Sequence, residues 1–330
     1  MPIMDHLRIG TLGAARITPA ALLKPARLVT ETSVVAVAAR DQARASAFAS
    51  KHGIDRVHRS YEALLADEEI DAVYNPLPNG LHGAWTKRAL EAGKHVLCEK
   101  PFTANAVEAA EVARVAEQCG LVVMEAFHYR YHPLAQRMHD IVADGRLGRV
   151  RRIETWMCIP LPLRKDIRYQ LDLAGGATMD VGAYAIHMQR LLGGEPEVLS
   201  ATARLAKPGV DRWMSADLRF AGGADGRMTC ALWSSSLLRI AVRVTGVGGQ
   251  MKVFNPTGPQ YYNRLTVRTP EATTHERVRG DATYTYQLRA FAAAVLRGEP
   301  TLTPPADSIA NMTVIDQVYR AAGLEPREPS

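Results

Sequence analysis

Gly93-Lys94-His95-Val96-Leu97-Cys98-Glu99-Lys100-Pro101 holds a short apolar run, Val96-Leu97-Cys98. A glycine precedes it where an amphipathic helix should stop, and a proline that cannot join a strand ladder follows it. The stretch reads as a buried strand that delivers Lys100 to its carboxyl edge. Open α/β sheets bind their ligands at that edge, so a lysine fixed there can do chemistry. The competing reading is an ordinary solvated side chain, because lysine is almost never buried unpaired.

The same pattern extends in both directions. Strand-like runs at Leu7 to Leu12, Ser33 to Ala39, Asp71 to Asn75, Lys94 to Cys98 and Leu121 to Met124 alternate with segments of helical spacing. Gly53, Gly93 and Gly120 stand where helices should stop, and Thr18-Pro19 and Ser60 where they should start. Such alternation predicts a doubly wound parallel sheet, with the dinucleotide-binding Rossmann arrangement as the leading candidate. Its phosphate loop should follow the first strand, at Gly13-Ala14-Ala15-Arg16-Ile17-Thr18. Only the first glycine of G-x-G-x-x-G remains there. Ala15 replaces the glycine that admits the pyrophosphate, so the motif alone also fits a plain strand-to-helix turn. The helix that follows points its amino-terminal dipole at the loop. At the end of the second strand, Val37-Ala38-Ala39-Arg40 lacks the carboxylate that NAD sites place against the ribose hydroxyls. Arg40 offers a planar charged fork suited to a 2′-phosphate, which predicts NADP as cofactor with NAD the alternative. Asp41 is read as the cap of the next helix.

A chain of 330 residues is long for one core, since cores stop growing near roughly 250 to 300 residues, and two domains are expected, at 1–127 and 128–330. With 47% hydrophobic and 22% charged residues it has the composition of an ordinary globular protein. No run is long enough to span a membrane and the start lacks a signal-peptide pattern, so a cytoplasmic location is expected. Cys98, Cys119, Cys158 and Cys230 show no paired spacing and are read as reduced, with no metal site. The net charge of +6 is spread along the chain, which argues against nucleic acid and suits an anionic cofactor. The Pro-rich end from Glu325 to Ser330 is expected to fray.

From Tyr74 to Pro101 the chain resembles the signature of the Gfo/Idh/MocA oxidoreductase family: Asn75-Pro76-Leu77-Pro78-Asn79-Gly80-Leu81-His82, a helix ending in Ala92-Gly93, then Glu99-Lys100-Pro101. The resemblance also covers Arg8 to Thr18, where family members often carry small residues in place of glycine. It implies that Pro76, Leu77, Asn79 and His82 flank the cofactor; the residues alone fit a rigid plain turn. Glu99 is expected on the cofactor side of Lys100, anchoring the motif through structural hydrogen bonds. At Phe127-His128-Tyr129-Arg130-Tyr131-His132 the family places a hinge beside the substrate pocket, which implies substrate contacts for His128, Tyr129 and Arg130. Aromatic packing between two domains is the alternative there.

In Gly175-Gly176-Ala177-Thr178-Met179-Asp180-Val181-Gly182-Ala183-Tyr184-Ala185-Ile186-His187, spacings of four and three put Asp180, Tyr184 and His187 on one helix face, where all three are expected to contact the substrate. A tyrosine so placed in an unrelated protein is more often a packing residue. The family carries an Asp-x-Gly-x-(His or Tyr) motif here after a Gly-Gly-(Gly/Ala) run. Tyr184 and His187 resemble the branch of dimeric dihydrodiol dehydrogenases, xylose dehydrogenases and glucose-fructose oxidoreductase, which implies sugar or diol chemistry. Hydride transfer at nicotinamide C4 must be matched by proton transfer at the substrate oxygen, from a group within about 3 Å of it. Tyr184 is the expected acid/base, Lys100 the cation that stabilises its phenolate while hydrogen-bonding the substrate or the nicotinamide ribose, and Asp180 the residue that orients Lys100 or substrate hydroxyls. Arg164, Lys165, Asp166 and Arg168 lie where the family often admits substrate contacts; Arg168 is expected at the substrate, with a solvated loop as the alternative.

Strand-like runs at Val198 to Arg204, Ser215 to Phe220, Arg227 to Ser234, Ile240 to Thr245 and Gln250 to Phe254 predict an α+β second domain with a large, mainly antiparallel open sheet. Its free face suits self-association, and a homodimer or homotetramer is expected. Helical spacing recurs at Tyr286 to Leu296 and Asp307 to Ala322, the last helix being expected to pack back on the first domain. The function expected is an NADP-dependent oxidoreductase acting on a sugar, polyol or cyclic diol. Two alternatives remain: a glycosidase-type relative that oxidises transiently with tightly held NAD, and a non-catalytic NADP sensor.

Overall fold

The computed structural model of the chain describes residues 5–162 and 165–330, so Arg164 lies outside the described residues. The first sheet comprises β1 (Leu7–Leu12), β2 (Thr32–Ala38), β3 (Arg56–His58), β4 (Ala72–Asn75), β5 (His95–Cys98) and β6 (Val123–Glu125), in the order β3-β2-β1-β4-β5-β6. Every pairing is parallel. The strand order reverses between β1 and β4, which opens the ligand crevice of a doubly wound sheet above their carboxyl ends. Tyr74, Val96 and Leu97 are wholly buried, as strands covered on both faces require. Arg56-Val57-His58 carries no apolar run, which is why β3 was not expected; it pairs with β2 at the sheet edge.

The second sheet comprises β7 (Val150–Cys158), β8 (Pro196–Lys207), β9 (Val210–Phe220), β10 (Asp225–Ala231), β11 (Arg239–Gly246), β12 (Gln250–Phe254), β13 (Arg264–Arg268) and β14 (Thr273–Glu276). Its order is β14-β13-β12-β11-β7-β10-β9-β8. Only β7 and β10 pair in parallel. The helix Ala183–Gly193 lies on one face, where the Thr155 hydroxyl donates to the Ala185 carbonyl at 3.0 Å. β13 and β14 extend the edge beyond the expected strands, built from short alternating segments whose polar residues outnumber the apolar ones.

The division near residue 127 separates the sheets but not the layers. The helix Thr283–Arg297 returns to the first sheet and packs Leu288, Phe291 and Ala292 on Leu7, Ile9, Tyr74 and Leu97. The helix Pro305–Ala321 lies along the helix Ala106–Cys119, and Asp316 accepts from the Ala106 N–H at 3.1 Å. The terminal segment is anchored rather than frayed. Arg327 is buried on Asp211 at 3.0 Å, and the Ser330 N–H donates to the Gly80 carbonyl at 2.8 Å. Its prolines suggested a free end, but one long-range ion pair overrides that local signal. Asp211 also accepts from the Thr178 N–H and hydroxyl, both at 2.7 Å, and so ties the terminal segment to the turn that carries Asp180. Gly176 enters that turn at φ +138°, and a Cβ there would lie 2.2 Å from an Asp211 oxygen. Only glycine fits.

Candidate active site

Lys100 leaves the carboxyl end of β5 through a cis peptide to Pro101. Asp180 sits on a wide helical turn, Thr178–Gly182, and Tyr184 on the first turn of the helix Ala183–Gly193. The two halves of the chain meet here. Lys100 Nζ donates to the Asp180 carbonyl at 2.7 Å and to its Oδ1 at 3.1 Å, and lies 5.0 Å from the centre of the Tyr184 ring. The other Asp180 oxygen takes Arg168 Nε at 3.1 Å. Burial alone would raise the Asp180 carboxyl, but the two cations outweigh it and hold its pKa below the usual value.

The Tyr184 hydroxyl meets His128 Nε2 at 2.9 Å, not Lys100. Burial pushes its phenol well above the usual pKa, with the neighbouring Tyr284, Glu99 and Asp180 acting in the same direction. The ammonium of Lys100, expected to stabilise the phenolate, faces the tyrosine ring rather than its oxygen. His128 Nδ1 lies 2.8 Å from Thr283 Oγ1. Burial, together with the Lys100 charge, pushes the His128 ring down to about 3, so it is neutral at physiological pH.

Asp180 and Tyr184 share a face, whereas His187 turns away. It is buried, stacked on Phe127 at 4.2 Å, with Nδ1 2.6 Å from the Tyr129 hydroxyl and Nε2 2.9 Å from Asp307. Tyr129 and His187 therefore form an internal network rather than a substrate wall. The wide turn before Ala183 shifts the helical register that the spacing assumed. Arg130 is half-buried on that inner side, where its charge acts on Tyr129 and His187.

On the cofactor side, Gly13 adopts φ +93° at the end of β1, a conformation that favours glycine. Ala14 packs with Ala39 and Ala45, and its carbonyl accepts from Arg44 at 2.8 Å, which fixes the loop. Ala15 is half-buried, while Arg16, Ile17 and Arg40 are exposed. Thr18 Oγ1 is buried with no partner among the described residues, so the loop holds a polar atom ready for a ligand. Asp41 accepts from the Arg44 N–H at 3.1 Å and caps the helix Gln42–His52. Asp41→Ala should therefore cost about 1 kcal/mol of stability in urea unfolding and leave cofactor affinity unchanged. A large loss of affinity would place that carboxylate on the ribose instead.

In the loop after β4, Pro76 is half-buried and Leu77 buried. Asn79 Nδ2 donates to the Ala174 carbonyl at 3.3 Å and so bridges to the second domain. His82 is buried with its two ring nitrogens 2.7 Å from the carbonyls of Leu77 and Pro101. Burial pushes its ring down to about 4. It braces the loop against the Lys100-Pro101 turn and has no nitrogen left for a cofactor. Glu99 is buried as well, accepting from the Tyr74 hydroxyl at 2.7 Å, which makes it an anchor for Lys100.

Between the domains lies a cavity of about 430 Å³, lined by Ile17 and Ala20 from the first domain, by His128 and Tyr184, and by Tyr261 and Tyr284. The last two were not anticipated. The signal for Tyr284 was the run Thr283-Tyr284-Thr285-Tyr286 at the start of a helix; Tyr261 lies in a loop and gave none. No cluster of metal-ligating side chains occurs among the described residues, and no helix is long and apolar enough to cross a membrane.

Residues 7–127 match the profile described as an oxidoreductase family with an NAD-binding Rossmann fold, and residues 135–252 match a GFO/IDH/MocA C-terminal domain. Fold and site thus define an oxidoreductase built on a nucleotide-binding domain. The chain belongs to the Gfo/Idh/MocA family. It is 40% identical, over 96% of its own length and 97% of the other, to D-xylose 1-dehydrogenase (NADP(+)) 2 of Haloferax volcanii. It is 33% identical, over 96% of each chain, to the dTDP-3,4-didehydro-2,6-dideoxy-alpha-D-glucose 3-reductase of Actinomadura kijaniata. The crystal structure of KijD10, a 3-ketoreductase of Actinomadura kijaniata in complex with NADP and TDP-benzene, superposes with a TM-score of 0.90 at 30% identity. That match covers 96% of this chain and 98% of the other.

Proposed function

We propose that this protein is an NADP-dependent oxidoreductase that transfers a hydride between nicotinamide and a carbon of a sugar, polyol or cyclic diol, with Tyr184 as the proton-transfer group. The observation that carries the reading is the meeting of Lys100 and Tyr184, from different halves of the chain, with Tyr184 lining the interdomain cavity. Gly13, Arg16 and Ile17, in the loop after β1, would hold the dinucleotide, which when bound supplies hydride chemistry at its C4. Lys100 has two N–H bonds committed to Asp180, and the third remains for the substrate oxygen. Tyr184 stays protonated at neutral pH because burial raises its phenol, so the reductive direction finds its proton donor ready. Asp180, shared between Lys100 and Arg168, keeps the ammonium aimed into the crevice.

A screen of aldoses, anhydro-sugars and vicinal diols by NADPH absorbance tests this reading. Steady turnover with one of these classes is the expected result, and absence of turnover with all three would refute it. Arg40→Ala should raise the KM for NADP about ten- to hundredfold by removing charge-assisted hydrogen bonds to the 2′-phosphate, with little change for NAD. Equal effects on both cofactors would remove Arg40 from that role. Self-association through the sheet face opposite the helix Ala183–Gly193 belongs to the same proposal. Trp156 and Trp213 lie half-buried there under the guanidinium groups of Arg239 and Arg204. Sedimentation of a single-chain mass would refute self-association.

A further inference from the structure

His128 has two bonded nitrogens, a neutral ring and a place beside the proton-transfer group, yet hydride chemistry as stated above gives it no part. We propose that His128 is the positioning residue of Tyr184: its Nε2–H donates to the tyrosine oxygen and stabilises the phenolate that forms as Tyr184 delivers its proton, with Thr283 fixing the tautomer. The inference rests on the assignment of Tyr184 as proton donor.

The geometry supports each link. Tyr184 Oη and His128 Nε2 are 2.9 Å apart, and His128 Nδ1 and Thr283 Oγ1 are 2.8 Å apart. The imidazole is held by Tyr284, whose ring centre is 4.1 Å away at an interplanar angle of 38°. Lys100 does not donate to the tyrosine oxygen, because its ammonium faces the tyrosine ring. A neutral imidazole carries one N–H. If Thr283 donates to Nδ1, the ring proton sits on Nε2 and points at the Tyr184 oxygen. Thr283 is buried at the first position of its helix, so no bulk water competes for its hydroxyl.

In the reductive direction the protons balance as follows. Hydride adds to the carbonyl carbon, the π electrons move to oxygen, and that oxygen takes the Tyr184 Oη proton. The Nε2–H hydrogen bond holds the tyrosine oxygen as it becomes phenolate, and Thr283 Oγ1–H stays bonded to Nδ1, so the imidazole keeps its tautomer. After the product leaves, water entering the cavity that Tyr184 lines returns a proton to the tyrosine oxygen. One hydride and one solvent proton are consumed. The charged and titratable groups facing this chain are Lys100 and Glu99 beyond β5, Asp180 on the wide turn, Tyr129 on the hinge and Tyr284 on the closing helix. Burial and the Lys100 charge keep His128 from holding a second proton, so the ring acts as a neutral donor.

Nitrogen-15 NMR of histidine-labelled protein saturated with NADP reads the tautomer directly. The expected result is Nε2–H at His128 in the native chain, with a shift toward Nδ1–H in Thr283→Val, a variant that keeps the packing and removes the donor. An Nδ1–H tautomer in the native protein would overturn the proposal. Kinetics supply the second arm, with D-xylose first and then the best compound of the screen. His128→Ala should lower kcat about ten- to hundredfold, the worth of a hydrogen bond to a developing charge. Its acidic limb for substrate oxidation should move up by about one pH unit, because phenolate loses its donor, and added imidazole should restore part of the rate. An unmoved limb would also overturn it. Native-like turnover in Tyr184→Phe would instead sink the underlying assignment while leaving the tautomer as measured, so the two failures are distinguishable.

Discussion

Tyr184→Phe is expected to lower kcat about a hundredfold to ten-thousandfold, the range of general acid catalysis, and to leave NADP affinity unchanged. The substitution removes one oxygen from a ring whose packing is set by other contacts: Phe127 meets it edge-on at 5.4 Å, and Lys100 lies over its face. The fold has no reason to change. The lost hydroxyl is the atom that faces His128 beside the cavity, so a loss of rate reports proton transfer. Steady-state kinetics and a fluorescence titration with NADPH check both halves of the prediction. Full turnover in the variant would remove Tyr184 from the reaction.

Lys100→Ala should cost turnover at least about a hundredfold and should also change its pH dependence. Asp180 is ionised in the folded protein because Lys100 and Arg168 together overcome the burial that favours its neutral form. With Lys100 gone, Arg168 alone opposes that burial and the folded-state pKa of Asp180 rises. Protonation then begins at a higher pH than in the native chain, so residual activity should fail earlier as pH is lowered. Stability should follow the same sign, since a carboxylate with a depressed pKa stabilises the fold above that pKa and ceases to do so below it. Lys100→Arg should not restore the rate, because a planar fork cannot reproduce a compact ammonium with donors to one carbonyl, one carboxylate and the substrate. Native rate in either variant, or an unchanged acid limb in Lys100→Ala, would contradict this account.

The first sheet was legible because buried parallel strands write themselves as short apolar runs between helix stops. β1 and β5 need no tertiary information to be found, whereas the three-residue edge strand β3 does. Lys100, Asp180 and Tyr184 were legible as candidates for a related reason: each sits near the end of a recognisable element, on a strand edge or within two helical turns of a Gly-Gly entry. What the sequence could not disclose was direction. His187 has the spacing of a site residue, but the wide turn rotates it onto Asp307, a partner 120 residues away. His82 looked like a pocket wall and is a buried brace. Thr283 and Arg327 reach the site region from the far end of the chain through long-range bonds, which leave no local pattern.

The central claim is that an ammonium and a phenol from separate domains act together on one substrate oxygen. A crystal structure of the ternary complex, with NADP and the best substrate of the screen, tests it most directly. The predicted result places that oxygen within hydrogen-bond reach, about 2.6 to 3.2 Å, of both Lys100 Nζ and Tyr184 Oη, with the reacting carbon facing the nicotinamide. A substrate oxygen bound to other donors, with Tyr184 turned toward His128 alone, would contradict it.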